Sequence, residues 1–391
     1  MNPFRVLLAG LLVAASSAWA AYAPVPEQDQ GKTFTFSVKS GLSYDTNIFG
    51  GATGQIGSSI FQLVPKAAYN ASLTDQTFLM LLYELTLDRY DNRPGDKLLD
   101  SHTAMARIAH AVSSSTTVDF VEMFMAMSSP ESLLNGLPLN ADQSMIRNEF
   151  DATFETKLGP KIGANFKART VYTKFRNAVL GRSLDRYENL YGLAADYAIL
   201  PELKAVAEVR HQDINYVKLG ETKNKSSDFV MGGLDYALAK KLTATGRAGL
   251  EWRHRTAERS TSVPYVELTS KYTYAPESFV SAGYMLTLEE SSDTARFTDT
   301  RVNRFILSLQ HHFTPLIVGS FGATFEPSVL RGRRGVPNLA EDTGRYGAAL
   351  TYLPSKNWLI STSIDYDKVN SGDAARSTQR TRFGINGNYS F

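Results

Sequence analysis

The chain of 391 residues has no cysteine, which removes disulfide frameworks, thiolate metal sites and cysteine nucleophiles and leaves six histidines to serve as soft ligands. It also lacks an excess of charge. With 41 basic against 39 acidic residues and a formal net charge of +2, it carries no field of the kind that holds nucleic acid. Low hydrophobicity is absent too: at 43% hydrophobic residues the chain is too apolar for a disordered one. Beyond the first twenty residues no stretch approaches the roughly 20 apolar residues that a spanning helix needs; the longest apolar run is Phe78 to Tyr83. Helical membrane proteins are thereby excluded.

The N-terminus has an address rather than a fold. Met1 to Arg5, an apolar core from Val6 to Ala15 and the small-x-small triplet Ala18-Trp19-Ala20 predict a cleaved signal peptide over residues 1–20, with a second cut after Ala21-Tyr22-Ala23 left open. Residues 21–32 read as a short periplasmic lead-in, and 33–391 as one domain.

That domain alternates with period two from end to end. Phe34, Phe36, Val38, Leu42 and Tyr44 interleave with Thr35, Ser37, Lys39 and Ser43. The pattern returns at Leu79, Leu81, Tyr83, Leu85 and Leu87, at Ile162, Ala164, Phe166 and Ala168, and at Phe383, Ile385, Tyr389 and Phe391. Each run is about 9 to 14 residues, enough for a tilted strand to cross a bilayer. Short turns near Asp75, Ser114, Pro160, Pro201, Lys240, Pro276, Pro315 and Ser355 alternate with longer polar segments, among them 128–142, 218–227, 291–300 and 331–342. Eight short turns and nine long loops require eighteen strands. The expectation is an all-β fold, a transmembrane antiparallel up-and-down β-barrel with both termini on the short-turn, periplasmic side. A soluble sandwich or propeller would hide its apolar face in a core, and 33–391 shows no linker dividing it into several such domains. Tyr44, Tyr172, Tyr187, Tyr197, Tyr274, Tyr352, Trp358, Tyr366 and Phe391 fall near strand ends, where interfacial girdles sit.

Two local resemblances agree. The closing stretch Phe383, Ile385, Tyr389, Phe391 resembles the assembly signal of outer-membrane barrels, Gly387 departing from its apolar alternation. Tyr44-Asp45-Thr46-Asn47-Ile48-Phe49, at the end of the first strand, is similar to the Tyr-Asp-Ser/Asp-Asn-Ile/Val-Phe pattern of the beta-barrel porin-2 family and of barrels associated with exopolysaccharide synthesis. The resemblance implies an outer-membrane barrel, in some members linked to polysaccharide export, and carries over no catalytic residue. Its implied partners are outer-membrane lipid and lipopolysaccharide, the assembly machinery acting on the strand that ends at Phe391, and a hydrophilic solute or polysaccharide.

If the apolar rows face lipid, the opposite positions line a lumen: Arg107, Arg147, Glu149, Asp151, Lys167, Arg169, Glu188, Glu208, Arg210, Arg247, Glu251, Glu267, Lys271, Arg304, Arg345, Asp365 and Arg382. So charged an interior must be wet or ion-paired, and a barrel of this size is wide enough for water. A turn centred on Pro160 opposes Asp151 to Arg169, and one on Pro315 opposes Arg304 to Glu326. Arg147, Lys167, Arg169 and Arg210 could form a basic wall; with both signs nearly equal, structural ladders are the preferred reading.

The loops offer two more candidates. Leu133, Leu134, Leu137 and Leu139 make the third long loop apolar, fit either to constrict the pore or to cap the rim. Arg331, Arg333 and Arg334 with Lys218, Lys223 and Lys225 make two others basic, suited to phosphate or acidic polysaccharide or simply to solubility. Gly50-Gly51-Ala52-Thr53-Gly54-Gln55 lies in a loop, not between a strand and a helix, and is no phosphate cradle. None of His102, His110, His211, His254, His311 and His312 stands in a motif with a nucleophile, and no cofactor, metal or enzymatic activity is expected. Neither a plug before the first strand nor a peptidoglycan-binding domain after the last is expected. The functional expectation is a passive channel; the alternative is a structural or surface-binding barrel closed by its loops.

Overall fold

A computed structural model describes residues 32–128, 144–238, 241–291 and 293–391. The signal segment and the leucines 133, 134, 137 and 139 lie outside the described residues. Eighteen strands follow one another: β1 Phe34–Asp45, β2 Ser58–Thr74, β3 Thr77–Tyr90, β4 Leu98–Ala111, β5 Thr116–Met127, β6 Met145–Lys157, β7 Ile162–Phe175, β8 Arg186–Leu200, β9 Leu203–Tyr216, β10 Lys225–Leu238, β11 Leu242–Arg255, β12 Thr261–Ala275, β13 Ser278–Glu290, β14 Phe297–Thr314, β15 Ile317–Gly332, β16 Leu339–Tyr352, β17 Trp358–Ser371 and β18 Thr378–Ser390. Helix α1 (Ala178–Leu184) lies in the β7–β8 loop, α2 (Gly220–Lys223) in the β9–β10 loop. No helix among the described residues is long and apolar enough to cross a membrane.

Every strand pairs antiparallel with its sequence neighbours, and β1 pairs with β18 from Ser37↔Ser390 to Asp45↔Arg382, so the sheet closes on itself. Closure leaves no row of unpaired backbone groups along an edge, which is what hydrocarbon requires. The even strand number puts both described ends at the short-turn rim. The strands are longer than expected, 12 to 18 residues. Long polar stretches expected as loops belong partly to strands: β14 starts at Phe297, β15 runs to Gly332, and β10 starts at Lys225. Their residues are polar because these strand ends project past the apolar belt, and polarity alone does not separate an extended strand from a loop.

The alternation sorts as expected. Leu42, Tyr44, Phe61, Leu81, Phe166, Leu193, Leu250, Phe305, Ile364 and Ile385 stand exposed on the outside, while their alternates carry the charges inside. Register follows turn symmetry: Asp151 pairs with Arg169, and Phe305↔Phe325 places Arg304 opposite Glu326.

One region departs from a plain cylinder. The ladder between β12 and β13 stops at Val266↔Leu286, while β13 and β14 continue pairing to Glu290↔Asp299. Above that point the side chains that alternation aims outward from β13 and β14 are buried: Leu286, Leu288 and Asp299. They meet inward-facing groups of β9 to β11, since Tyr216 Oη donates to Glu290 (2.5 Å), Lys225 pairs with Glu290 (2.8 Å), and Arg255 pairs with Asp299. The top of the β13–β14 hairpin therefore leans into the lumen, its outer face against the inner face of the neighbouring wall.

Candidate functional site: the lumen and its long-loop mouth

The inward charges are largely paired along and between strands. Arg107 binds Asp119 through two nitrogens. Arg147 donates to Glu149 (2.8 Å), and Arg169 to Asp151 (2.7 Å) with Glu149 at 3.4 Å. Arg186 reaches Glu188 (2.8 Å), and Arg210 reaches Glu208 (2.6 Å), Glu267 (3.6 Å) and the Tyr265 hydroxyl (3.1 Å). Arg247 joins Asp235 (2.7 Å) to Glu208 (3.6 Å). Arg304 holds both Glu326 (2.7 Å) and Glu289 (2.8 Å), and Arg382 holds Asp367 (3.0 Å). Arg345 faces inward opposite Asp367, and Asp365 opposite Arg382. Of the four cations considered as a basic wall, Arg147, Arg169 and Arg210 are neutralised by these carboxylates. Lys167 has no hydrogen bond or ion pair among the described residues, and Lys271 lies 4.0 Å above the Phe279 ring.

Glu251 is a correction to the expected lining. It is 0% exposed, hydrogen-bonded by Ser227 (2.8 Å) and Arg253 (2.9 Å), and Arg253 donates onward to the Leu288 carbonyl (3.0 Å). The leaning hairpin covers it, so it belongs to a sealed ion cluster and not to the water-filled wall.

One stretch of wall sets thioethers among its charges. Met105 lies opposite Leu82 and Met123, Met125 opposite Thr103 and Arg147, and Met80 opposite Arg107, so a thioether patch faces inward on β3 to β5. Period-two patterning assigned apolar residues to lipid and missed it. The signal lay in Met123 and Met125, which alternate with Phe120, Glu122 and Phe124 and share a face with Asp119.

The long-loop mouth is crossed by converging loops. Thr294, in the β13–β14 loop and 4% exposed, receives a hydrogen bond from Lys223 Nζ (2.7 Å), which also donates to the Ser183 carbonyl (3.0 Å). On the other side Asp293 takes Arg296 (2.5 Å) and Arg376 (4.0 Å), Arg296 reaches Asp373 (3.0 Å), and Arg333 donates to the Thr294 carbonyl (2.9 Å). Loops from distant parts of the ring thus meet on one inward segment. Burial, with Arg333 and Lys225 nearby, pushes the Lys223 ammonium down to about 8, whereas Asp293 and Asp373 hold the Arg296 guanidinium above its usual range. Of the two basic loops, four cations are held in this cap: Lys223 as above, Arg331 donating to Thr261 (3.1 Å), Lys225 to the Thr298 carbonyl (2.6 Å), and Arg333 3.7 Å from Glu258, whereas Lys218 and Arg334 stand exposed.

The hexapeptide at the end of β1 is structural. Asp45, 1% exposed, binds Arg380 of β18 through both oxygens and accepts the Asn47 N–H (2.8 Å). Asn47 exchanges hydrogen bonds with Gly51 (2.8 and 3.1 Å) and donates to the Gln379 carbonyl (3.2 Å). Tyr44 points outward and Phe49 lies 5.4 Å from the Arg93 guanidinium. The motif staples the seam where the first and last strands meet.

His110, His254, His311 and His312 sit near strand ends, and His102 and His211 further in. His311 lies 2.9 Å from Tyr274 Oη, while His312 is 3.4 Å from Glu277. His211 bridges Asp228 (2.7 Å) and Asp213 (3.2 Å) on the outer surface. Among the described residues no group of three His, Asp or Glu could hold a metal ion.

A sheet closed on itself, apolar outside and ionic inside, defines a transmembrane β-barrel of the outer-membrane type. No family model matches the chain, and no curated protein sequence does. Among solved structures it is similar to OccAB2 of Acinetobacter baumannii, at 10% identity over 92% of this chain and 98% of that one, with a TM-score of 0.50. It is equally similar to OpdK of Pseudomonas aeruginosa with vanillate, at 10% identity over 92% and 99% of the two chains, with a TM-score of 0.50. At such identity the likeness is one of fold.

Proposed function

We propose that the protein is a passive channel of the bacterial outer membrane, carrying hydrophilic solutes with no chemical step. The observation that carries this reading is an inward face crowded with paired charges, including Arg107–Asp119, Arg169–Asp151 and Arg210–Glu208. Lipid would not accommodate them, and their side chains keep 11 to 30% of their surface exposed, as beside water and not in a dry core. The proposed pore lining is the sequence-derived set with Glu251 removed, and both termini are periplasmic. Passage of an exported polysaccharide, as the first-strand resemblance to the beta-barrel porin-2 family implies, fits the same lumen. Interaction with lipopolysaccharide and with the assembly machinery through the Phe391 strand belongs to this reading too.

The meeting of loops on Thr294 favours a second reading, a closed barrel that binds at its surface. Conductance in planar bilayers with refolded protein separates the two. Stable open steps, with liposome swelling in small sugars that declines as the sugars grow, are the expected result; persistent silence of well-folded protein selects the closed barrel.

A further inference from the structure

Besides the His211–Asp228–Asp213 group, the outward face carries a polar pair midway along its strands, where hydrocarbon is expected. Glu122 lies midway along β5 on the outward row with Phe120 and Phe124, opposite Ala106 and Phe150. Its Oε1 accepts a hydrogen bond from Asn148 Nδ2 at 2.6 Å, and Asn148 lies on the same face, opposite Phe124 and Tyr172. Neither side chain has another partner among the described residues. Phe120, Phe124 and Phe150 around them stand exposed, so this is outer surface and not lumen. A carboxylate at mid-bilayer depth is destabilising, and polar side chains on membrane segments serve to join segments.

The neighbouring outward positions are small. Ala104, Ala106 and Ala152 lie opposite Phe124, Glu122 and Phe120. These half-buried alanines leave the backbone approachable, as in close-packed membrane interfaces. The unused capacity of the pair is also self-complementary: one free carboxylate oxygen, one free amide N–H.

We propose that this face of β4 to β6 is the contact of a two-fold dimer of the chain within the membrane. A two-fold axis along the membrane normal, passing between β5 and β6, brings Glu122 of one copy against Asn148 of the other, and the reverse, at equal height. Four polar groups then close a ring of hydrogen bonds, with the phenylalanines enclosing it. An isologous contact needs this self-complementarity, and a heterologous ring would leave one of the two groups facing lipid. The proposal does not depend on whether the pore conducts.

The absence of cysteine gives a clean test. Phe124→Cys in native membranes is expected to give a disulfide-linked dimer of this chain, and Phe305→Cys, on the opposite outer face, is not. In mild detergent, native mass spectrometry is expected to show a dimer that Glu122→Leu/Asn148→Leu weakens by roughly tenfold or more. Leucine suits a lipid-facing site, so heat-modifiable migration should show the variant barrel folded. Equal cross-linking at both positions, cross-linking of Phe124→Cys to a protein of another mass, a monomeric natural chain, or a double variant as dimeric as the natural chain would each overturn the proposal.

Discussion

Asp45 shows how much one buried carboxylate contributes here. It is shut from solvent with the Arg380 guanidinium across the seam, and removing one partner of such a pair leaves an uncompensated charge. Asp45→Asn is expected to destabilise the barrel by about 3 kcal/mol, read as a lower temperature of heat modification, whereas Asp45→Leu with Arg380→Met should recover much of the loss. Equal stability of Asp45→Asn and the natural chain would contradict the seam role. At this scale the sequence was partly readable. Asp151–Arg169 and Arg304–Glu326 follow from a turn position and a period of two, both local properties. Tyr216–Glu290 and Lys225–Glu290 do not, because they join strands that are not neighbours and arise only where the wall folds inward.

Among elements, the β13–β14 loop is the centre of the long-loop cap, and Lys223 is its titratable pin. Its ammonium titrates near 8 in the folded cap against 10.5 ordinarily, so an opened cap binds more protons between those values, and closure strengthens as pH rises through that window. The shift toward closure is expected to reach at most about tenfold per pH unit. Conductance per barrel should therefore fall from pH 7 to pH 9, and Lys223→Met should flatten the dependence. A natural chain insensitive across this range would remove Lys223 from the cap's balance. The loops' polarity was legible beforehand; their convergence was not, since it depends on distant parts of the ring being brought face to face. The methionine patch was hidden for another reason: apolar residues on alternate positions say nothing about which solvent they meet.

For the whole molecule, pairing of both signs along the lumen predicts weak ion selectivity. Reversal potentials in a KCl gradient should give a permeability ratio within about twofold of unity. A strong anion preference would mean that Lys167 and Lys271 outweigh the paired residues. The strand number and the closed topology were legible from turn spacing, because each hairpin repeats the same solution to the same two solvents.

The seam has a kinetic consequence. Asp45 and Arg380 lie 335 positions apart, so the last ladder to zip joins the two extremities of the polypeptide. Loop-closure entropy makes so non-local a pairing slow. Until it forms, β1 and β18 each expose a sticky margin, and the nascent sheet is most prone to misjoin with a neighbour just before it is finished.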